Sequence, residues 1–535
     1  MNEMIHPIAN TAVPQPAAST VLAPADRRWL LLGLGLATGM EFYTNDSMNL
    51  ILPDITGTLG LSSDEGSWIL TVYNGSMFLS VPVSIWMAGH FGYKRYVIAT
   101  IVVFAIASMG CAISPDLPSM LVCRAIQGFA GGGLYVWWRA TIYVVLPKPL
   151  RSPALMLAST ILYLSSAAGL LGSGYITDQF NWRLIFLPNL IYAIAAIWLL
   201  VHYFPRLEGP SKPRDEGDGL GIGLLAVALV SLQIILSRGP VDDWFGSSFI
   251  QALGWTGVIA LCLFVFWQAS PYNRAPLLRI ELLGDRNVTS SALIGVFTGI
   301  ILSGSLYALP EFLRNIDPEP HSATHTGQIM CVYALTAAAI RPLVVPLIAR
   351  IGQRKTIVFG LVMLIASMLT FSHVLTTGTP DVVYLIPLVL YAFCLSPLLP
   401  AVGSGTVARV EQNKLLDGVS IYMTFRQFGA AVGVALLTIL LERRETLHSS
   451  RLFEHVRVTS HVTQDWLRSA AALIQSRDGH SALESLNIAI KMLAEAGARQ
   501  AATLAYQDAF IFMAAIGVAA LCVVPIIPPT PVAKK

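Results

Sequence analysis

Apolar residues dominate the chain in long runs of about 20 residues, which short polar segments separate. Runs of this length match the thickness of apolar bilayer that a transmembrane helix must cross. The alternating ten-residue segments of a transmembrane β-barrel are not seen. We therefore predict an all-α polytopic membrane protein with 14 spans, at about 29–53, 66–88, 96–114, 118–146, 153–177, 184–204, 219–237, 249–269, 288–313, 323–349, 355–375, 381–407, 416–441 and 506–527.

The spans fall into a group of six, a pair and a second group of six, with charged linkers on either side of the pair. This order predicts two six-helix halves with an inserted pair. We expect a disordered tail at 1–28, a first half at 29–204, and the linkers with the inserted pair at 205–286. The second half follows at 287–527, and a short final tail at 528–535. A long segment, 443–505, separates the last two spans.

Composition narrows the function classes. The chain is 55% hydrophobic and 12% charged, against about 25% charged residues in a typical soluble domain. A net charge of +3 gives no reason to expect a nucleic-acid partner. The six cysteines lie in or beside apolar runs, at spacings that fit neither a metal site nor a disulfide framework. No nucleotide-binding or catalytic motif is found, so we expect no enzyme activity, no cofactor and no metal.

Basic residues predict the orientation of the chain. Lys and Arg collect before the first span and in alternate segments, whereas the short loops opposite hold only Arg183, Arg238 and Arg314. The positive-inside rule then places both termini in the cytoplasm and segment 443–505 outside. Within that segment, an apolar helical stripe either packs against the rest of the loop or docks to a partner protein; it comprises Leu483, Leu486, Ile490 and Leu493.

The first span carries two carboxylates, Glu41 and Asp46, at bilayer depth. A charge at that depth costs at least about 2.5–3.5 kcal/mol on insertion scales. Asn45 and Asn49 lie on the same helical arc, which predicts a face toward an aqueous cavity or a partner helix and away from lipid. We expect Glu41 as the first and Asp46 as the second proton-coupling residue. The alternatives are a static ion pair with a nearby arginine for Glu41 and an outer-cavity or helix-end polar role for Asp46.

Arginines inside spans need a carboxylate or backbone carbonyls as partners. Arg124 and Gln127 lie in the fourth span, and we expect Arg124 either to hold the coupling carboxylate or to serve a structural ion pair. Arg139, Arg341 and Arg426 are further candidates for the substrate cavity, together with Asn45, Asn49 and Gln127. Small residues at helical spacing predict close helix contacts, either for packing or for a rocking interface: Gly128, Gly131, Gly132, Gly169, Ser173, Gly429 and Gly433.

In order along the chain, these motifs resemble those of the fourteen-span drug:proton antiporters of the major facilitator superfamily, most closely the EmrB-type efflux subunits. The resemblance covers about 29–527. It rests on Arg124-x-x-Gln127-Gly128, on the stretch from Gly172 to Asp178 followed by Trp182–Phe186, and on Phe425-Arg426 followed by 443–448. The carboxylate position of the family's first span falls on Thr44 here, and its Gly-Pro of the fifth span is Gly169-Leu170.

The resemblance implies a major facilitator fold, export of hydrophobic or amphipathic toxic compounds in exchange for protons, and alternating access. It implies a bacterial inner membrane, with a periplasmic adaptor and an outer-membrane channel as partners. Two alternatives stay open. An excess of span arginines favours a transporter of an anionic metabolite, such as an organic or fatty acid. The second alternative is a receptor or scaffold that transports nothing.

Overall fold

The computed structural model describes residues 23–205, 218–239, 244–273, 276–316, 321–406, 410–411, 414–456, 460–478 and 481–527. These residues form 15 α-helices and short 3-10 turns, with no strand among them. The helices are α1 Pro24–Leu59, α2 Ser63–Phe91, α3 Tyr93–Ile113, α4 Leu117–Val145, α5 Lys148–Gln179, α6 Pro188–Tyr203, α7 Gly219–Arg238, α8 Ser248–Ala269, α9 Arg286–Asn315, α10 Ala323–Ile351, α11 Gln353–Val374, α12 Asp381–Thr406, α13 Leu415–His455, α14 His461–Asp478 and α15 Ala482–Val523.

The prediction of an all-α polytopic membrane protein is confirmed. Every helix except α14 coincides in position with a predicted span. Within the described residues, 11 helices are long and apolar enough to cross a membrane; α1, α2 and α4 are not among them. The exact number of spans therefore stays a prediction. Residues 1–22 of the predicted tail 1–28, the predicted tail 528–535 and most of the linker, 206–217, lie outside the described residues.

A tight reversal joins α1 to α2 and sets the direction of both helices. Gly60 ends α1 with a φ of 66°, in the left-handed region that glycine adopts without steric cost. Ser62 then begins α2 with a capping box: its hydroxyl accepts the N–H of Glu65 at 3.2 Å, and the Glu65 carboxylate accepts the N–H of Ser62 at 2.9 Å. The two helices therefore run antiparallel.

Packing joins the helices into two groups that meet across a long contact. In the first group, α1 packs on α5 and α6, and α2 packs on α4; in the second, α9 packs on α13, and α11 packs on α12 and α15. The groups meet mainly where α5 contacts α10 and α2 contacts α13. Helices α7 and α8 pack on each other and reach the rest through α2 and α13. The division into halves with fixed boundaries stays a prediction.

Two helices are far longer than a bilayer requires. α13 has 41 residues and α15 has 42, so each is about 60 Å long at about 1.5 Å per residue. Their extensions, with α14 between them, fill most of segment 443–505. We call the side of the molecule that carries this extension the loop side, and the opposite side, where α1 begins, the tail side.

Candidate functional site

A cavity lies between the two groups of helices, at the middle of the bundle. Its walls come from α1, α2, α4 and α5 on one side and from α9, α10, α12 and α13 on the other. The cavity is narrow, with a volume of about 110 Å³, which is below the range of about 300–1,000 Å³ typical of small-molecule pockets. All four polar residues of the predicted arc on α1 line it: Glu41, Asn45, Asp46 and Asn49.

Asp46 is bound by side chains from both groups. Its Oδ2 atom accepts a hydrogen bond from Ser166 on α5 and another, of 2.9 Å, from the hydroxyl of Tyr333 on α10. The hydroxyls of Ser166 and Tyr333 are themselves 3.1 Å apart. Hydrogen bonds of this kind stabilise a charged carboxylate. Because Asp46 is only 5% exposed, this small cluster is a buried polar link between the two groups.

Glu41 is equally buried, at 5% exposure, but is less well bonded. Among the described residues its Oε2 atom has no hydrogen-bond partner. The guanidinium of Arg426 on α13 attracts it electrostatically, and the carboxylate of Asp46 repels it. A buried carboxylate with so little compensation is costly to keep charged. The site thus holds one carboxyl group with two hydrogen bonds, Asp46, and a second, Glu41, with an oxygen that has no hydrogen-bond partner among the described residues.

Arg124 is not bound to Glu41. Its side chain is 1% exposed and donates to Oε1 of Gln127 at 2.6 Å, between the rings of Tyr73 and Phe186. Within the described part of the chain, the Nε and Nη2 atoms of Arg124 have no hydrogen-bond partner. Tyr73 lies near both charges, since its ring centre is 5.3 Å from the Arg124 guanidinium and its hydroxyl interacts electrostatically with Glu41.

A chain of hydrogen bonds leads from Arg124 to Thr44, the position onto which the first-span carboxylate of the efflux family that this chain resembles falls. Gln127 Nε2 donates to Ser108 Oγ at 2.7 Å, and Asn189 Nδ2 donates to the same oxygen at 3.3 Å. Thr44 in turn donates to Oδ1 of Asn189 at 3.1 Å. Arg124 and Gln127 therefore belong to a buried network beside the cavity, and neither lines it.

Arg139 and Arg341 lie in a second, smaller cavity between the groups. Nε of Arg341 on α10 donates to Ser159 on α5 at 2.7 Å. The Arg139 guanidinium lies 4.8 Å from the ring centre of Trp138. Three arginines were predicted for the substrate cavity: Arg139, Arg341 and Arg426. Of these, the structure brings only Arg426 to the main cavity with the carboxylates.

The predicted glycines mark close approaches within each group. A Cβ on Gly169 would be 2.6 Å from the Tyr43 carbonyl oxygen of α1, and one on Gly429 would be 2.1 Å from the Val296 carbonyl oxygen of α9. Gly128, Gly132 and Gly433 are similarly crowded, by α2 or α9, and Ser173 is fully buried. Contact between the groups instead uses Gly174 and Gly327, where a Cβ would meet Ala323 O at 2.4 Å and Leu170 O at 2.3 Å.

Two polar contacts join the groups on the loop side. Arg314 at the end of α9 forms a two-pronged ion pair with Asp54 of α1, with a distance of 2.9 Å from Nη2 to Oδ1. Asp178 near the end of α5 accepts the backbone N–H of Ala323 at 3.2 Å and of Thr324 at 2.7 Å, the first residues of α10. Acceptors at a helix N-terminus are favourable, so Asp178 links α5 to α10, while the ion pair links α1 to α9.

Sequence reasoning missed several residues of the site. Ser166, Tyr333 and Tyr391 line the cavity, and Tyr391 packs edge-on against Tyr333 with ring centres 5.6 Å apart. Asp54 and Arg314 were not seen as partners. A serine or tyrosine in an apolar span is common, so residue type alone does not single these positions out.

The fold and the buried polar cavity define a membrane transporter. The sequence profile of the Major Facilitator Superfamily matches residues 34–320, which is more than half of the chain. The protein belongs to this family. It is 25% identical over 427 residues to the multidrug export protein EmrB of Escherichia coli strain K12, covering 80% of this chain and 82% of that protein. It is 28% identical over 437 residues to the fatty acid resistance protein FarB of Neisseria gonorrhoeae, covering 80% and 83%.

Solved structures support the fold. A peptide transporter of the POT family, in complex with a thioalcohol-conjugated peptide, matches with a TM-score of 0.63 at 12% identity, covering 97% of this chain and 98% of that one. The human organic anion transporter MFSD10 matches with a TM-score of 0.57 at 15% identity, covering 93% and 100%. At such low identity, these likenesses speak for the fold alone.

Proposed function

We propose that this protein exports hydrophobic or amphipathic toxic compounds in exchange for protons, by alternating access of the central cavity to the two sides of the membrane. The observation that carries the proposal is the pair of buried carboxyl groups, Glu41 and Asp46, in a cavity shared by the two groups of helices. The names of relatives such as EmrB support export of toxic compounds as the direction and cargo.

Glu41 is the proposed proton carrier. Burial opposes its charge, while Arg426 from the opposite group attracts the charged form. A group held between these opposing effects changes its protonation state when the cavity opens to water. Asp46 is the proposed sensor of the conformation, because its bonds to Ser166 and Tyr333 require the two groups to be together. Rocking the groups apart breaks one of these bonds, so proton binding and cavity opening are coupled.

Transport in proteoliposomes tests this function. An imposed proton gradient should drive uptake of a lipophilic cationic dye into vesicles that contain the protein, and collapse of the gradient with a protonophore should abolish it. Competition distinguishes the two substrate classes: a second amphipathic cation should inhibit uptake, whereas a fatty acid should not. Uptake that is unchanged by the protonophore would reject proton exchange, and inhibition by fatty acids alone would favour the anion transporter.

The proposed location is a bacterial inner membrane, with both termini in the cytoplasm and the loop side in the periplasm. Arg95, Arg151 and Lys355 lie at tail-side helix ends, which agrees with the positive-inside rule. The family resemblance adds a periplasmic adaptor and an outer-membrane channel as partners. The extension of α13–α15 is the proposed docking element, because Leu483 and Ile490 of the predicted stripe are 70% and 48% exposed.

Charged substitutions in the stripe test the partner. Leu483→Glu with Ile490→Glu should abolish drug resistance in whole cells and leave dye transport in proteoliposomes unchanged, since no described residue of α15 lines the cavity. Lys491→Glu, which changes charge on another face of α15, should leave both unchanged. Full resistance in cells that carry the double variant would reject docking at this stripe.

A further inference from the structure

Two histidines and one aspartate converge on the loop side, near the starts of α10 and α12. His321 precedes α10, His325 lies in its first turn, and Asp381 is the first residue of α12. The Nε2 atom of His321 is 2.8 Å from Oδ1 of Asp381, and that of His325 is 2.9 Å from Oδ2. The two imidazole rings are stacked, with centres 4.6 Å apart and planes inclined by 22°.

We propose that His321, His325 and Asp381 form a binding site for a divalent transition-metal ion, with Zn²⁺ as the best fit. Two imidazole nitrogens and one carboxylate are a ligand set that Zn²⁺ uses, at distances of about 2.0–2.2 Å, with a fourth position open to water. The ligand atoms of the three side chains lie within 4.8 Å of one another. Small side-chain rotations therefore bring all three to one ion.

The chemistry of the cluster discriminates between ions. Imidazole nitrogen suits Zn²⁺, Ni²⁺ and Cu²⁺, whereas Mg²⁺ and Ca²⁺ prefer oxygen ligands. A cluster with a single carboxylate has too few oxygen ligands to bind Mg²⁺ or Ca²⁺ well.

The backbone fixes two of the ligands before any ion arrives. The hydroxyl of Ser322 accepts the N–H of His325 at 3.2 Å, and the N–H of His321 donates to the carbonyl of Leu313 at 3.2 Å. The helices that carry the ligands, α10 and α12, pack against each other. Binding therefore needs little reordering of the chain, which lowers its entropic cost.

Zinc titration of the full-length protein, purified without a polyhistidine tag and stripped with a chelator, tests the site. Calorimetry should show one high-affinity Zn²⁺ per chain, and Co²⁺ should give the visible absorption of a low-coordinate site. His321→Gln and Asp381→Asn should each weaken binding by at least about tenfold, by analogy with losses at metal-site positions. Mg²⁺ should neither bind nor compete.

A matched control lies on the same side of the molecule. His448 Nε2 is 2.8 Å from Oδ2 of Asp508, which is a histidine–aspartate pair outside the proposed site. His448→Gln should leave zinc affinity unchanged. His325 is 46% exposed on its side chain, so His325→Gln should fold normally even if the other variants do not. Zinc binding that is equal in wild type and His325→Gln, or the lack of one high-affinity Zn²⁺ in wild type, would overturn the proposal.

Discussion

Glu41 and Asp46 lie only five positions apart on α1, yet their surroundings differ. Asp46 accepts two hydrogen bonds, one from each group of helices, whereas Glu41 keeps an oxygen without a partner among the described residues. Hydrogen bonds to a charged group are each worth about 1.5–3 kcal/mol. The two carboxyl groups are therefore unequal, and the proposed division of roles between carrier and sensor follows from this difference.

Removing the Tyr333 hydroxyl should shift the pH dependence of transport to higher pH. Tyr333→Phe keeps the ring but removes a donor to Asp46, so the charged carboxylate loses stabilisation. The midpoint of the pH profile of dye uptake should move up by about one to two units, since such a hydrogen bond is worth about 1.5–3 kcal/mol and about 1.4 kcal/mol corresponds to one unit. Tyr391→Phe is the matched control, because that hydroxyl donates nothing to Asp46 and is bonded to Ser305 instead. An unshifted profile for Tyr333→Phe, or an equal shift for both variants, contradicts the sensor role.

Sequence alone could identify the polar residues of α1 in this site but not their hydrogen-bond partners. The carboxylates on α1 were predicted as site residues because charge inside an apolar run is costly, and the structure brings them and the two asparagines of the same helical arc to the cavity. The bonding partners could not be predicted, since Tyr333 is 287 positions from Asp46 and a tyrosine in a span carries no signal of its own. The ligands of the proposed metal site escaped for the same reason, with Asp381 lying 60 positions after His321.

At the scale of helices, apolar length predicts where a helix crosses the membrane but not where it ends. The predicted spans 416–441 and 506–527 correspond to the apolar parts of α13 and α15, which continue well beyond them. Helix propensity and a capping box at Ser481 and Glu484 keep the polar part of α15 helical. The extension is therefore a continuation of two membrane helices, and its orientation is linked to theirs.

The contact between α5 and α10 supplies a matched pair of substitutions. A Cβ at Gly174 would be 2.4 Å from the Ala323 carbonyl oxygen, whereas one at Gly172 would meet nothing within 4 Å. Gly174→Ala should destabilise the protein by about 1–3 kcal/mol, as overpacking does, and lower its melting temperature in detergent. Gly172→Ala should melt like the wild type. Equal melting temperatures for the two variants would show that this approach is not tight.

For the whole molecule, polar contacts on the loop side hold the two groups together. The Arg314–Asp54 ion pair links α9 to α1, and Asp178 caps the first turn of α10 from α5. Both contacts must break if the cavity is to open toward this side. The structure therefore corresponds to a state that is closed on the loop side, in which the Asp46 bridge is intact.

Breaking the ion pair should shift this equilibrium. Asp54→Asn should lengthen the distance between spin labels at Thr58 and Asn315, two exposed positions on the loop side, in a chain whose exposed Cys262 and Cys522 are replaced by serine. Arg314→Asp should act likewise. The exchange Asp54→Arg with Arg314→Asp restores opposite charges and should return the shorter distance. Identical distance distributions in all four proteins would show that the pair does not control opening.

Substrate-driven proton release tests the central claim most directly. Purified protein in weakly buffered detergent solution should release protons when an amphipathic cation is added, because substrate and proton compete for the buried carboxyl groups. Glu41→Gln should abolish most of the release while still melting like the wild type, and Glu495→Gln on the extension should release as much as the wild type. Release of equal size from Glu41→Gln and wild type would contradict the account.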